Sequence, residues 1–136
     1  WSKVTSNQSS TFTGGTQLLN NLTYQNANQG IYVHAVNYSG PVRIINNTIY
    51  HDTGSAIRIE TNAQPTYLYN NIIVINGGFG IEVVGNNPGF DSNYNLIFPT
   101  RPGANVGKYL TQPNSDTLVA WRAASGGKDQ YRKKTR

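Results

Sequence analysis

Cysteine and methionine are both missing from this chain of 136 residues. Without cysteine there is no disulfide scaffold and no thiolate metal site. Histidine occurs twice and acidic residues six times, and none of them stand at zinc-ligand spacing. Charged residues are 12% of the chain, about half the usual share. No apolar run approaches the roughly 18–20 residues that a membrane-spanning helix needs, so no membrane partner is expected. Positive charge on the folded body is scarce too. The net charge is +5, but Arg132, Lys133, Lys134 and Arg136 are four of the eleven basic residues. Residues 1–131 carry seven basic and six acidic groups, a net of +1. Nucleic-acid binding needs a basic face on a folded domain. The terminal run reads instead as a solvated tail, and no nucleic-acid partner is expected. The chain opens on Trp1 with neither Met nor a leader, so a processed or trimmed product is expected.

What fills the gap is asparagine, at 18 copies, together with 14 glycines. Both disfavour helices. The asparagines are periodic. Asn20-Asn21-Leu22-Thr23-Tyr24 returns as Asn46-Asn47-Thr48-Ile49-Tyr50, as Asn70-Asn71-Ile72-Ile73-Val74 and as Asn95-Leu96-Ile97-Phe98, with steps of 26, 24 and 24 residues. A second signature keeps the same steps: Gly30-Ile31-Tyr32-Val33, Ala56-Ile57-Arg58-Ile59, Gly80-Ile81-Glu82-Val83. A weaker third is Leu18, Ile44 and Leu68.

Each period therefore holds three short runs rich in β-branched and aromatic residues, which read as strands. Antiparallel sandwich strands do not require one shared sequence period. A chain that returns above itself once per period does require it, and that is a parallel β-solenoid. Equivalent residues then stack about 4.8 Å apart. Ile31/Ile57/Ile81 and Val33/Ile59/Val83 are expected as inward columns. The paired asparagines are expected as an amide ladder at a corner that also needs left-handed backbone.

The N-N-x-I and G-I-x-V signatures resemble the right-handed parallel β-helix (pectin-lyase-like) superfamily, over residues 16–98. The segment from Ser115 to Gly126, with Trp121-Arg122-Ala123-Ala124-Ser125-Gly126 at its end, is similar to the one that follows the last coils of carbohydrate-active members. The expected fold is an all-β right-handed parallel β-helix of about four coils with a short C-terminal helix. The expected divisions of this single domain are an irregular first coil (1–15), repeat coils (16–98), an extension with a helix near 116–125 (99–131) and a basic tail (132–136). Ser115 or Asp116 is expected as helix N-cap and Gly126 as its stop. The resemblance implies a carbohydrate-associated protein of the polysaccharide lyase or glycoside hydrolase type, extracellular or periplasmic, with a polysaccharide or oligosaccharide as ligand. The chain departs from the enzymes in lacking an Asp trio or a clustered Asp–Arg–Lys set, which points to a truncated or minimal form with weak or no activity. The competing reading is a non-catalytic, self-associating solenoid.

Stacking converts spacing into candidate chemistry. With Ile31 and Val33 inward, Tyr32 and His34 point outward; one coil on come Arg58 and Glu60, and then Glu82. Glu60 and Glu82 form the candidate acid/base pair, with Cα atoms about 8 Å apart, a spacing that suits an inverting glycosidase. In a lyase, Arg58 or His34 takes the part of base and Tyr32 that of acid. Tyr32 and Tyr50 are candidate sugar-stacking residues. The plainer alternative is a surface ion cluster of Arg58 with two carboxylates. No metal or cofactor is expected, a weak Ca²⁺ site on Glu60 or Glu82 being the exception. Residues 1–15 offer no evident cap, so a homo-oligomer through the N-terminal coil is expected.

Overall fold

The computed structural model describes residues 15–34, 40–60, 65–85 and 87–130. Four coils of three strands each wind through them. The first holds β1 (Thr16–Leu19), β2 (Leu22–Thr23) and β3 (Gln29–Val33), and the second β4 (Val42–Ile45), β5 (Thr48–His51) and β6 (Ser55–Ile59). The third holds β7 (Thr66–Tyr69), β8 (Ile72–Ile75) and β9 (Gly78–Val83), and the fourth β10 (Asp91–Asn93), β11 (Leu96–Pro99) and β12 (Ala104–Tyr109). A helix, α1 (Leu118–Ala124), follows. The strands stack into three parallel sheets, β1-β4-β7-β10, β2-β5-β8-β11 and β3-β6-β9-β12. The register is the one the repeat predicts: Ile31 faces Ile57 and Ile57 faces Ile81, while Leu18 faces Ile44 and Ile44 faces Leu68.

The core lies between the three sheets. Ile44, Ile49, Ile57, Ile59, Leu68, Ile73, Ile75, Ile81 and Val83 are fully buried. At the corner between the first two sheets, the two asparagines of each signature divide the work. Asn20, Asn46 and Asn70 take left-handed backbone, with φ of 58°, 59° and 56°, which Asn tolerates better than most residues. The second asparagine forms the ladder. Asn21 donates its backbone N–H (2.9 Å) and its Nδ2 (3.1 Å) to Asn47 Oδ1. Asn47 does the same to Asn71, and Asn71 to Asn95. The remaining amide hydrogens of Asn47, Asn71 and Asn95 reach the carbonyls of Leu18, Ile44 and Leu68.

The ladder ends on a carboxylate. Asp129 Oδ1 accepts from the backbone N–H of Asn95 (3.3 Å) and from its Nδ2 (2.9 Å), as a fifth asparagine would. Its Oδ2 accepts from Ser92 Oγ (2.6 Å) and Trp121 Nε1 (3.0 Å). One buried carboxylate thus ties the last coil to the closing helix.

Two expectations need correction. The coils do not end at residue 98, because β12 pairs in register with β9 and completes the fourth coil. Its copy of the second signature is hidden by Gly107, which stands opposite Ile81 where an apolar side chain is expected. The indole of Trp121 takes that space: a Cβ on Gly107 would lie 2.5 Å from Trp121 Cε3. The helix also starts later than expected. Ser115 exchanges backbone hydrogen bonds with Gly107 (3.2 and 2.8 Å), so its backbone belongs to a bridge and not to a cap. Thr117 is the N-cap, accepting from Ala120 N–H at 3.2 Å, and Gly126 follows the C-cap Ser125 with φ 69°. The proposed first coil, up to residue 14, and the basic tail lie outside the described residues.

Candidate functional site

The outer face of the β3-β6-β9-β12 sheet gathers five of the six candidate residues. Its central row is Tyr32, Arg58, Glu82 and Lys108, paired coil to coil. His34 and Glu60 follow at the ends of β3 and β6, where Glu60 N–H donates to the Val33 carbonyl at 2.9 Å. Tyr50 is not part of this face. It lies on β5, in the β2-β5-β8-β11 sheet, opposite Val74 and one strand from Phe98. The turn Asp52–Gly54 separates the two sheets, and sequence proximity to β6 does not bring the Tyr50 ring across it.

Arg58 organises the face. Its Nε donates to Glu60 Oε1 at 2.7 Å and its Nη1 to Glu82 Oε2 at 2.8 Å. The bond to Glu60, with the charges of both carboxylates, raises the guanidinium's pKa further against burial, which lowers it. Arg58 is therefore a fixed cation and not a proton acceptor. Burial pushes the Glu60 carboxyl up, but hydrogen bonds and charge from Arg58, helped by Tyr32 and His34, outweigh it and hold the group below its usual value. Burial, and then the Glu60 charge and hydrogen bond, push the Tyr32 phenol up, so it stays a donor. The Tyr32 and His34 rings stand 5.6 Å apart at 50°.

Three further residues belong to the face and were not singled out from sequence. Ser55 Oγ donates to Glu82 Oε2 at 2.5 Å. Lys108 lies 5.8 Å from the centre of the Phe79 ring. Simple alternation along the strand puts Ser55 and Phe79 inward, but two consecutive residues face the core here. Ala56 and Ile57 are both fully buried, and a Cβ on Gly80 would meet Ile97 Cγ2 and Ile75 Cδ1. That doubled inward step turns Ser55 and Phe79 outward. Lys108 was legible as the residue 26 beyond Glu82, once Gly107 is recognised in the repeat.

Chemically, the face can bind and orient, but its carboxylates are not set up as an acid/base pair. A glycosidase needs one carboxyl held protonated and, for inversion, a gap that admits water. Here the Arg58 guanidinium, bonded to both Glu60 and Glu82, fills that gap. Among the described residues no three His, Asp or Glu side chains gather as a metal-ligand set. His51 and Asp52 divide as neighbours on a strand must: His51 is buried, with Nε2 3.2 Å from the Asn28 carbonyl, and Asp52 is exposed.

A family model described as a right-handed β-helix region matches residues 4–103. No curated protein and no solved structure matches the chain.

Proposed function

The chain belongs to the right-handed β-helix family, and from that premise we propose that it binds a glycan chain along the outer face of the β3-β6-β9-β12 sheet without cleaving it. The observation that carries this reading is Arg58 holding Glu60 and Glu82 together, which leaves an ordered row of donors and acceptors and fills the gap where a water would have to sit between the carboxylates. Tyr32 at the first-coil end of the row and Phe79 beside it offer rings for sugar stacking. The row spans four strands, about 14 Å from first to last, enough for a short oligosaccharide segment. The two cations Arg58 and Lys108 offset the two carboxylates Glu60 and Glu82, which favours an uncharged glycan over a polyuronate. An extracellular or periplasmic setting goes with this reading.

The test is a panel of neutral and acidic glycans, measured by calorimetry for binding and by reducing ends and unsaturated-uronate absorbance for cleavage. The expected result is saturable binding of a neutral glycan, weakened at least about tenfold by Tyr32→Ala, a loss of roughly 1.4 kcal/mol, with no product. Product formation that Glu60→Gln abolishes would overturn the binding-only reading. Absence of binding to every glycan would overturn the whole of it.

A further inference from the structure

We propose that the outer face of the β2-β5-β8-β11 sheet is a homodimer interface, on which two copies of the chain pack sheet to sheet about a two-fold axis. The outward residues of this sheet form two rows. One is Leu22, Thr48, Ile72 and Leu96; the other is Tyr50, Val74 and Phe98, with Tyr24 following the end of β2. Exposure is high for the apolar members: Leu22 64%, Tyr24 57%, Ile72 44%, Leu96 57% and Phe98 57%. Together the two rows leave roughly 600–700 Å² in water. That is above the largest apolar patch of an ordinary monomer, about 300–600 Å², and near the ~800 Å² per partner of a standard interface.

The chemistry selects the occupant. None of these eight residues is charged, whereas the β3-β6-β9-β12 sheet carries Arg58, Glu82 and Lys108 outward, and the β1-β4-β7-β10 sheet carries Arg43 and Asp91. A charged ligand finds no counter-ion here. A second copy finds an identical uncharged sheet of the same twist, and two such sheets pack face to face about 10 Å apart. The outward rows of this sheet carry no charge, so two copies meet on it without bringing charge against charge. The rim is polar and already ordered. Asn76 Nδ2 donates to Tyr50 Oη at 2.7 Å and to Asp52 Oδ1 at 2.6 Å, and Thr100 Oγ1 donates to Asn76 Oδ1. Tyr50 is therefore held before any partner arrives, which lowers the ordering cost of association. This interface lies on a different sheet from the glycan face, so its test is independent of the glycan reading. It also differs from the N-terminal edge expected from sequence.

The absence of native cysteine makes the experiment direct. Sedimentation velocity of the full chain at low micromolar concentration is expected to give a dimer. Ile72→Lys, at an outward central position, is expected to weaken it at least about 100-fold by setting like charges across the axis, with the far-UV spectrum unchanged. In an otherwise native chain, Thr48→Cys is expected to be cross-linked into a dimer by a bifunctional thiol reagent long enough to span the roughly 10 Å between packed sheets, and Gln17→Cys, on the β1-β4-β7-β10 sheet, is not. A monomeric native chain overturns the proposal. So does a dimer that survives Ile72→Lys, or one that cross-links through Gln17 and not Thr48, either of which would move the interface elsewhere. Should Ile72→Lys fail to fold, the two cysteine variants decide alone.

Discussion

Two polar columns run along this solenoid, and they differ in nearly every respect. One is the corner ladder, Asn21, Asn47, Asn71 and Asn95, closed by Asp129; it repeats one residue type, and Asn47 and Asn71 within it are 1% exposed. The other is the outward row Tyr32, Arg58, Glu82 and Lys108, a different residue in each coil, partly exposed except at Glu82, which is buried. The difference follows from desolvation. A buried amide left unpaired costs about 1–3 kcal/mol, so each rung must present the same donor and acceptor to the next. On the outer face water reaches Tyr32, Arg58 and Lys108, and buried Glu82 is satisfied by Ser55 and Arg58 from the coil before it, so each coil is freer to carry a different group. Repetition marks the scaffold, and departure from repetition marks where function can be written.

The largest test breaks the ladder. Asn71→Leu removes the acceptor for Asn47 N–H and Nδ2 and the donor to the Ile44 carbonyl. Several buried groups lose partners together, and a loss of about 3–5 kcal/mol is expected in urea denaturation. A loss under about 1 kcal/mol would show that water repairs the ladder and that the contrast between the columns is not one of burial. Asp129→Asn is the sharper and smaller change. Its Oδ1 role survives, but an amide nitrogen cannot accept from both Ser92 Oγ and Trp121 Nε1. A loss of about 1–3 kcal/mol is expected, together with a weakened near-ultraviolet signal from Trp121. An unchanged signal would place the link between helix and coil elsewhere.

The same contrast explains what the sequence disclosed. The solenoid, the inward columns and the ladder were legible because burial forces repetition at steps of 24 and 26 residues. The closure was not. Asp129 stands 34 residues beyond Asn95, because the helix is inserted between them. Gly107 hides the last strand because its missing side chain is supplied by Trp121 from another element. The face was legible in part: Tyr32, His34, Arg58, Glu60 and Glu82 follow from stacking, while Ser55 and Phe79 needed the doubled inward step that no alternation rule supplies. Tyr50 was assigned by residue type, and its position in the chain puts it on the next sheet.

On the outer column, substitution should cost less than on the ladder. Arg58→Met leaves Glu60 and Glu82 without their shared cation; the partly solvated pair with Glu60 is worth about 0–1 kcal/mol, but Glu82 is buried and keeps only the Ser55 hydroxyl, so a total loss of about 1–2 kcal/mol is expected. The pH dependence should change more than the midpoint. Because the Glu60 pKa is held down in the folded state, its stabilisation is present above the unfolded carboxylate value and is lost as pH falls through the folded one. Arg58→Met should flatten that acid limb. A loss of several kcal/mol at neutral pH would mean that the row is as structural as the ladder.

The smallest effect is expected on the third sheet, where Tyr69 Oη donates to Asp91 Oδ2 at 2.5 Å and Lys128 Nζ lies 3.1 Å from Asp91 Oδ1. Burial, and then the hydrogen bond and charge of Asp91, push the Tyr69 phenol up to about 12. For a group whose folded pKa is raised, the stabilisation is complete below the unfolded value, about 10 for tyrosine. It is lost as pH rises through the folded one. Tyr69 should therefore be among the last of the nine tyrosines to ionise in a spectrophotometric titration. Asp91→Ala should bring one late-ionising tyrosine back toward the others and shorten the alkaline limb of the stability curve, while neutral-pH stability moves by about 1 kcal/mol or less. If the late tyrosine persists in Asp91→Ala, burial alone sets its pKa. The Tyr69–Asp91 pair would then contribute nothing to the alkaline limb, and the outer sheets would be looser than the geometry of this bond implies.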